Sequence, residues 1–456
     1  MGCPRNWSRD FNDGMLRGHT TTKEPCVLKD ERTPTALAAL PDEALIEAVQ
    51  RQTFRYFWDG AETASDLALD RRTLVGAQKD DLDDDKVAIG GSGFGIMAMI
   101  VAVERGWVTR GAALDRLARM LAALRRARRY HGAFPHFMNG TTGETIPMSA
   151  KDDGGDLVET SFLMMGLLCA RQYFSEGTAT ARRLRGDIDT LWHAVEWNWF
   201  TQGGQDVLFW HWSANHGWAL NHAVRGWNEC LVTYLLAAAS PRHAINPKVY
   251  HRGYAAGPDF ANGHAYHGVE LPLGPPGGGP LFFTHYSFCG LDPRGLQDRY
   301  ADYWDLNTRH VRINRAHCIA NPKGFKGYGE ACWGLTASDD PDGYLAHEPR
   351  NDNGTISPTA ALASLPFAPT EVMQVLRHFL TVHGTALWKD YGFIDAFCEQ
   401  RGWFANTVLA IDQGPIVVMM ENHRTGLLWK LFMSVPEVQA GLRALDFSSP
   451  HLASPE

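Results

Sequence analysis

Apolar residues recur at helical spacing through most of the chain. Leu114, Leu117, Leu121 and Leu124 form one apolar stripe, and Thr109 stands where a helix N-cap is expected. The same i, i+3, i+4, i+7 pattern predicts helices at 42–58, 94–105, 110–129, 157–173, 179–199, 228–239, 296–320, 370–383 and 421–432. Most of the chain is therefore predicted to be helical.

The segments between these helices are long and rich in Gly, Pro and aromatic residues. Strand-like alternation is confined to short pieces, and the longest loop, 254–280, exceeds what a compact bundle tolerates without a function for it. We expect these loops to build one face of the molecule. The pattern predicts a mainly α fold of many antiparallel helices, large enough for a helical barrel, and periodicity alone leaves barrel and bundle both open.

The chain shows one uninterrupted domain between two short ends. Residues 1–40 are polar at first and end in a proline-bounded segment, which predicts a flexible leader. No linker is visible across 41–447, so we expect a single domain there and a tail at 448–456.

Composition and charge exclude several classes of partner. The 456 residues are 45% hydrophobic, and 43 Lys and Arg against 51 Asp and Glu give a net charge of −8. This balance offers no surplus of positive charge for nucleic acid, and no apolar run approaches the roughly 18 residues of a membrane span. Residues 1–28 lack the apolar segment of a signal peptide, so the sequence favours a cytoplasmic protein unless export uses another route.

Cysteine, histidine and glycine patterns suggest no cofactor and no metal. The eight cysteines form no C-x-x-C pair and are predicted to be buried free thiols, and the spacing of His211, His216 and His222 matches no ligand pattern. The glycine-rich run 90–95 fails the nucleotide-binding and nucleophile-elbow patterns. It fits either a tight helix entry or backbone donors that line a polar cleft.

One group of acids surrounds the predicted start of the helix at 157. Asp156 and Glu159 would share a helix face, with Asp152 on the loop before them. Crowded carboxylates raise one another's pKa, which would create a proton donor near neutral pH. The alternative is an N-cap with a first-turn acid, which leaves Asp152 unexplained.

Two further acidic positions stand in apolar surroundings. Glu229 follows Trp227 and Asn228 at the head of an apolar helix, where it is either a desolvated general acid or a helix-start residue. Asp412 and Arg424 flank an apolar run and suggest either a buried ion pair or a polar site in a cavity.

Tryptophan is abundant, and many of its positions lie near turns or beside these acids. Fifteen Trp residues are present, and sugar rings stack on such platforms while two carboxyl groups cleave the glycosidic bond. For any single Trp, core packing is the alternative. The combination indicates a carbohydrate-active enzyme, and the predicted platforms are Trp58, Trp210, Trp212, Trp227 and Trp333.

Several long motifs, in order, resemble one known family. The chain from about residue 44 to 447 is similar to the glucoamylase-like domain of glycoside hydrolase family 144, the bacterial β-1,2-glucanases. The similarity rests on TFRYFW (53–58), GFG (93–95), RGW (105–107), DLVET (156–160), WNE (227–229), WGLTAS (333–338), DNGTISPTA (352–360), YGFIDAF (391–397), IDQGP (411–415) and ENHRTGLLW (421–429).

This resemblance implies an (α/α)6 barrel and an inverting endo-β-1,2-glucanase that needs no cofactor. It implies that Asp152, Asp156, Glu159 and Glu229 line the substrate cleft, with Glu229 as proton donor. Asp412 is the expected activator of water, with Asp352, Asp395 and Glu421 as alternatives. The full set expected to bind the glucan is Trp58, Trp210, Trp212, Trp227, Asn228, Trp333, Asp352, Asp395, Glu421 and Arg424.

Three other activities remain open on the sequence. An exo-acting, sophorose-releasing enzyme or a transglycosylase would share the fold, and the loop 254–280 is a candidate for blocking one end of the cleft. A non-catalytic glycan-binding protein would keep the cleft and lose one essential carboxyl.

Overall fold

The computed structural model describes residue 27, residues 29–74 and residues 85–452, and helices dominate this part of the chain. The helices are α1 (Pro34–Ala38), α2 (Asp42–Trp58), α3 (Ile89–Glu104), α4 (Arg110–Arg126), α5 (Leu157–Tyr173), α6 (Ala179–Ala194), α7 (Leu231–Ala239), α8 (Tyr303–Ala320), α9 (Pro358–Leu362), α10 (Pro369–His378), α11 (Ala410–Arg424), α12 (Leu427–Met433) and α13 (Pro436–Ala444). The prediction of a mainly α fold is confirmed.

The strands are short and form two- or three-stranded antiparallel pieces. They are β1 (Arg71–Thr73), β2 (Lys86–Ala88), β3 (Phe137–Asn139), β4 (Thr145–Ile146), β5 (Gly155–Asp156), β6 (His211–Trp212), β7 (Ala261–Tyr266), β8 (Val269–Leu273), β9 (Ala337–Asp340), β10 (Gly343–Ala346), β11 (Trp388–Lys389), β12 (Gly392–Phe393), β13 (Phe397–Cys398), β14 (Trp403–Phe404) and β15 (Thr407–Leu409). Two pairings matter for the site, β1 with β15 and β5 with β6.

Capping residues set several helix ends where the sequence predicts them. Helices α2 and α5 span the predicted residues, and the Thr109 hydroxyl accepts a hydrogen bond from the Ala112 amide at the start of α4. Helix α8 begins later than predicted because the Asp302 side chain caps it by accepting from the Asp305 amide. The seven residues before Tyr303 therefore belong to a loop.

The helix predicted at 421–432 is instead two helices, α11 and α12, separated at Gly426. Gly426 has φ of +68°, a left-handed conformation that favours glycine and ends α11. Helix α11 starts eleven residues earlier than predicted and contains Pro415. Because Gly and Pro disfavour helices and proline removes one helical hydrogen bond, the sequence pattern did not predict the first part of this helix.

Glycines let α3 pack closely between α5 and α11. A Cβ on Gly93 would lie 2.2 Å from the Phe162 carbonyl, and one on Gly166 would lie 2.2 Å from the Gly93 carbonyl. On the other side, a Cβ on Gly91 would lie 2.6 Å from the Ala410 Cβ. The glycine run is therefore a site of close helix contact, which brings the first turns of three helices to one end of the molecule.

The predicted leader and tail both pack onto the domain where they are described. Leu37 in α1 is fully buried, and the Asp30 amide donates to the Gln52 side chain. At the other end, His451 Nε2 lies 2.8 Å from Asp292 Oδ2. Apolar and hydrogen-bonded contacts therefore hold residues 29–40 and 448–452 against the domain, and the domain boundaries at residues 40 and 448 stay a prediction. Residues 1–26, 28 and 453–456 lie outside the described residues.

Two further observations concern the cysteines and the helices of the described residues. The six described cysteines are free and buried, and Cys3 and Cys26 lie outside the described residues. Among the described helices, none has both the length and the apolar character needed to cross a bilayer.

Candidate active site

Asp156 caps α5 and organises the residues around it. One carboxylate oxygen accepts from the Val158 and Glu159 amides, each at 2.9 Å. The other accepts from Trp210 Nε1 at 3.0 Å and lies 2.9 Å from His136 Nδ1. The N-cap alternative is confirmed for Asp156, whose fully engaged carboxylate positions its neighbours.

Glu159 does not close a capping box and points toward α3 instead. Its Oε2 accepts a hydrogen bond from the Gly90 amide at 2.7 Å, and a Cβ on residue 90 would collide with this carboxyl. The glycine run therefore also supplies a backbone donor, the second use expected of it. Burial, then the charge of Asp156, raises the pKa of Glu159 to about 7 against the opposing effect of His136.

His136 is the cation of this group. Burial lowers the pKa of His136, but Glu159 and the hydrogen bond to Asp156 outweigh burial and raise it to about 9. The imidazole of His136 is therefore positively charged at neutral pH, beside Asp156.

Glu229 lies just before α7 and is 8% exposed. Its backbone carbonyl accepts from the Ser287 hydroxyl, and Asn228 Oδ1 accepts from the Cys230 amide at 3.0 Å, so both the turn and the helix start are fixed. No described cation forms an ion pair with the carboxyl. Burial, then the charges of Glu159 and Asp156, raises the pKa of Glu229 to about 7.

Asp152 lies at the edge of the same group. His211 Nε2 lies 3.3 Å from Asp152 Oδ1 and accepts from the Gly154 amide at 3.0 Å. Burial, then the charge of Asp156, raises the pKa of Asp152. We refer to Asp152, Asp156, Glu159 and Glu229 as the acid cluster.

A second group of buried acids includes one residue of α11. Asp412, in the first turn of that helix, and Asp395 are both buried, and the charge of Asp395 disfavours ionisation of Asp412. Asp395 also accepts from the Asp339 amide at 2.7 Å, which stabilises its ionised form. Burial, then Asp339, raises the pKa of Asp395 to about 7, and burial with Asp395 raises that of Asp412 well above its usual value. We refer to Asp395 and Asp412 as the aspartate pair.

Arg71 limits the negative charge behind the aspartate pair. Its Nη1 lies 3.1 Å from Asp339 Oδ1, and the Thr407 hydroxyl donates to the other Asp339 oxygen at 2.5 Å. The pairing of β1 with β15 brings Arg71 opposite Leu409, directly before α11. The charge of Asp339 is therefore balanced by Arg71, whereas neither acid of the aspartate pair has an arginine or lysine partner among the described ion pairs.

The hydroxyl of Tyr286 is influenced by the charges of both the acid cluster and the aspartate pair. Its ring packs against Phe94 and Phe162, with centroids 5.4 and 5.6 Å away. Burial, followed by the charges of Asp412, Glu229 and Glu159, raises the pKa of its hydroxyl. The backbone places the two groups near each other: Gly90 in α3 donates to Glu159, and the adjacent Gly91 packs against Ala410, two residues before Asp412.

Aromatic and apolar side chains form a cavity beside the acid cluster. Its volume is about 220 Å³ and its lining residues are His136, Met148, Asp152, Trp210, His211, Leu220 and His222. Trp210 stacks on His222 with centroids 5.1 Å apart, and Met148 is exposed at the rim. This wall combines a ring platform with titratable groups.

The remaining predicted rings divide between core and surface. Trp58, Trp227 and Trp333 are at most 4% exposed and pack in the core, Trp58 under the Arg116 guanidinium and Trp227 against Tyr303. Trp212 is half-buried and pairs through β6 with Gly155, next to Asp156. Of the five predicted platforms, the structure brings Trp210 and Trp212 to the acids.

Three other predicted residues lie in separate polar networks. Asp352 binds His317 at 2.9 Å and Tyr328 at 2.7 Å. Glu421 accepts two hydrogen bonds from Arg105, and Arg424 pairs with Glu47 at 3.1 Å. Glu421 lies nine residues after Asp412 in one helix, about 13 Å along its axis. Of the alternatives to Asp412, only Asp395 shares its location.

Four residues near the acids were not expected from the sequence: His136, Tyr286, Asp339 and Arg71. Asp339 directly follows the motif WGLTAS, so extending that motif by one residue would have included it. The other three carry no local signal, because loops and strands distant in the chain bring them to the acids. The loop 254–280 forms the β7–β8 hairpin, whose His267 lies 6.1 Å from His317 between ring centroids, beside the Asp352 network.

Comparisons with known proteins identify the family. Residues 221–436 match the family model described as "Putative glucoamylase". The chain is 44% identical to the exo β-1,2-glucooligosaccharide sophorohydrolase (non-reducing end) of Parabacteroides distasonis, over 91% of this chain and 60% of that protein. The chain thus spans 60% of the length of this curated relative.

Solved structures show the same relationship. The endo-β-1,2-glucanase of Chitinophaga pinensis, in complex with sophorotriose and glucose, is 52% identical with a TM-score of 0.88, covering 91% of this chain and all of that one. The β-1,2-glucanase of P. distasonis is 43% identical with a TM-score of 0.85, covering 89% and 60%. The predicted family is confirmed: the chain belongs to the glucoamylase-like family of glycoside hydrolases, of the family 144 type.

Proposed function

We propose that the protein is an inverting endo-β-1,2-glucanase that cleaves β-1,2-glucan to short oligosaccharides. The observation that carries the proposal is that two groups of buried acids contact adjacent residues of α3. Glu159 of the acid cluster accepts from the Gly90 amide, and Ala410, two residues before Asp412 of the aspartate pair, packs against Gly91. Glycoside hydrolysis uses two such carboxyl groups on opposite sides of the scissile bond. The relatives named above act on glucans of this linkage.

Glu229 is the proposed proton donor. A pKa of about 7 keeps a substantial fraction of this carboxyl protonated near neutral pH, where it protonates the leaving oxygen as the glycosidic bond breaks. The absence of a described ion-pair partner supports this role, because a nearby guanidinium would favour the ionised form.

Asp412, assisted by Asp395, is the proposed activator of water. The pair holds one proton and one negative charge, so it accepts a further proton from water as the oxygen attacks the anomeric carbon. Asp412 Oδ2 and Asp395 Oδ1 are buried and have no hydrogen-bond partner in the structure, which leaves acceptors for a water. Asp339 and Arg71 position the pair from behind.

Asp152, Asp156 and Glu159 are proposed to bind and orient the sugar beside Glu229. His136 balances the charge of Asp156 and Glu159, and Trp210 and Trp212 offer ring faces next to them. Stacking on such rings is the usual means of holding a glucosyl unit.

The helices are proposed to form an (α/α)6 barrel whose inner helices begin at the site. Support comes from α3, α5 and α11, which pack side by side with Gly90, Glu159 and Asp412 in their first turns, and from Glu229 just before α7. In this arrangement the N-terminal ends of the inner helices surround the cleft.

Exo action that releases sophorose is the second candidate. The sophorohydrolase relative supports it, whereas the higher identity to the endo-acting enzyme, and the match to all of that chain, favour endo action. The two modes differ in their first products, so one experiment separates them.

The test is product analysis of linear β-1,2-glucan digested by the wild type. A ladder of β-1,2-linked oligosaccharides at early times supports endo action, whereas sophorose alone supports exo action. Proton NMR of the first product reports the mechanism, since inversion gives the α-anomer.

Laminarin, cellulose oligomers and starch serve as parallel substrates. Cleavage of these and not of β-1,2-glucan would contradict the proposed linkage. Binding of β-1,2-glucan without any release of reducing ends would instead show a glycan-binding protein.

A further inference from the structure

Four metal-ligating side chains meet outside the active site. The Cys332 thiol and one ring nitrogen each of His378 and His383 lie within 4.8 Å of one another. His383 Nε2 also lies 3.2 Å from Glu399 Oε1, which adds a fourth candidate ligand. The four residues come from three segments of the chain, so their spacing in the sequence does not reveal the group.

An irregular helix end brings the two histidines together. In an α-helix, residues five apart point about 140° away from each other. Here α10 ends at His378 and continues as a single π-helical turn, Phe379–His383, whose hydrogen bonds join residues five apart. This rare turn places both imidazoles on one side, with ring centroids 5.8 Å apart.

The other two ligands are held by tight turns. Gly329 and Cys332 exchange backbone hydrogen bonds at 3.1 and 3.2 Å, which fixes the position of the thiol. Glu399 begins the turn between β13 and β14, whose pairing of Cys398 with Trp403 fixes the carboxylate. All four ligands therefore lie on defined backbone.

Burial leaves a polar atom of this group without a hydrogen bond. Cys332 is 2% exposed, and the His383 side chain is 7% exposed. His383 Nε2 forms no hydrogen bond, because its contact with Glu399 lacks the geometry of one. A buried unsatisfied nitrogen is destabilising unless something occupies the space that it faces.

We propose that Cys332, His378, His383 and Glu399 bind one Zn²⁺ ion in a closed, structural site. One thiolate, one carboxylate and two neutral imidazoles are ligands that zinc accepts in tetrahedral geometry. The two negative ligands neutralise the dication, so the buried site carries no net charge. Binding displaces the thiol proton to solvent and forms a Zn–S bond, with no change of oxidation state.

The ion would join the β13–β14 hairpin, which follows Asp395 in the chain, to the rest of the domain. Asp395 and Glu399 lie on the same chain segment, four residues and about 13 Å apart, and the Asp395 amide donates to the Thr407 carbonyl across the hairpin. Zinc would fasten the tip of this hairpin to α10 and to the 329–332 turn. The site is closed, so zinc stabilises the hairpin and takes no part in bond cleavage. This proposal differs from the sequence-based expectation of no metal.

Metal content of the full chain, purified without a polyhistidine tag, tests the proposal. After incubation with ZnSO₄ and gel filtration, mass spectrometry should find about one Zn²⁺ per wild-type chain. Cys332→Ser and His378→Asn should lose most of it, whereas Cys398→Ser, which alters a buried thiol of the same hairpin, should retain it. Equal zinc content in the wild type and Cys332→Ser would overturn the proposal.

Cobalt substitution supplies a test that does not depend on the variants folding. Wild-type protein stripped with chelator and loaded with CoCl₂ should show tetrahedral ligand-field bands and a thiolate-to-cobalt charge-transfer band. Absence of the sulfur band would overturn the site. Removal of zinc should lower the Tm of the wild type and leave that of Cys332→Ser unchanged, and equal effects on both would also contradict it.

Discussion

The two ends of α11 carry acids of similar burial in opposite surroundings. At the C-terminal end, Glu421 accepts two hydrogen bonds from Arg105 at 2.7 and 2.9 Å. At the N-terminal end, burial, then the charge of Asp395, raises the pKa of Asp412. Glu229, in the acid cluster, likewise has no ion pair among the described residues. Both Glu229 and Glu421 are less than 10% exposed.

The difference shows which buried acids hold the fold together and which hold protons. An acid paired with a guanidinium stabilises the structure through that pair, and losing one partner leaves a buried charge. An acid buried without a cation instead takes up a proton, which suits it to catalysis. Burial alone does not separate the two classes, whereas the identity of the neighbour does.

Replacing Glu229 should have the largest effect. Glu229→Gln keeps the shape of the side chain and removes the proton that the leaving oxygen needs, so we expect kcat on β-1,2-glucan to fall about 10³-fold. Release of reducing ends measures the change, and circular dichroism checks the fold. A loss below tenfold would remove Glu229 from the role of proton donor.

Asp412 should rank second, in contrast to Asp352. Asp412→Asn removes the acceptor for the proton of water, and kcat should fall about 10²-fold with little change in KM. Asp352, bound by His317 and Tyr328, serves as the control. Asp352→Asn should mainly lower the Tm. If Asp352→Asn abolished activity while the protein stayed folded, the assignment of the two acids would be reversed.

The opposite end of α11 should show a loss of stability without a loss of catalysis. Glu421→Gln leaves Arg105 partly buried without its partner, and the free energy of unfolding should fall by about 3 kcal/mol. Urea denaturation measures this value, and kcat of the folded fraction should not change. Glu43→Gln is the matched control, because Glu43 also pairs with an arginine, Arg424, but its side chain is 73% exposed. That variant should differ from the wild type by less than about 0.5 kcal/mol.

The pH dependence of stability should have opposite signs for the two classes of acid. The pKa of Glu229 is about 7 in the folded protein, above its ordinary value of 4.5. The contribution of Glu229 to stability is therefore fully present below pH 4.5 and is lost as the pH rises through 7. Glu229→Gln, neutral throughout, should therefore be more stable than the wild type at pH 8, by about 1–3 kcal/mol. The difference in stability between Glu229→Gln and the wild type should disappear near pH 4.5.

Glu437 supplies the contrast. Although burial raises it, hydrogen bonds from Arg171 lower the pKa of Glu437 below its usual value. Its contribution is present at neutral pH and is lost on acidification, so Glu437→Gln should be less stable than the wild type at pH 7. Thermal unfolding from pH 4 to 8 measures the stability of both variants relative to the wild type. If raising the pH changed this relative stability in the same direction for both variants, the distinction between the two classes of acid would be refuted.

Local pattern predicted those parts of the site that depend on neighbours in the chain. The helix at 157–173 and the cap at Asp156 follow from apolar periodicity and from the preference of Asp for an N-cap. Glu229 was placed correctly beside a helix start because an acid at the head of an apolar run is conspicuous. Helix α11 was missed in part because Gly414 and Pro415 oppose helix formation locally, while packing against α3 overrides that preference.

Predictions failed to distinguish residues of the same type in different surroundings. Trp58 precedes Asp59 and Trp210 precedes His211 in the sequence, yet Trp58 lies in the core whereas Trp210 donates to Asp156. Glu421 and Asp412 belong to one helix, but they lie nine residues apart along it, too far for both to reach the same cleft.

The sequence by itself determined the helical content, the acidic character and the family, because periodicity, charge and long motifs are properties of adjacent residues. Only the tertiary structure decided which acids stand without a cation, which histidine becomes the cation of the acid cluster, and which cysteine meets two histidines. A pKa and a ligand set depend on distances and on burial, and these arise when residues far apart in the chain pack together.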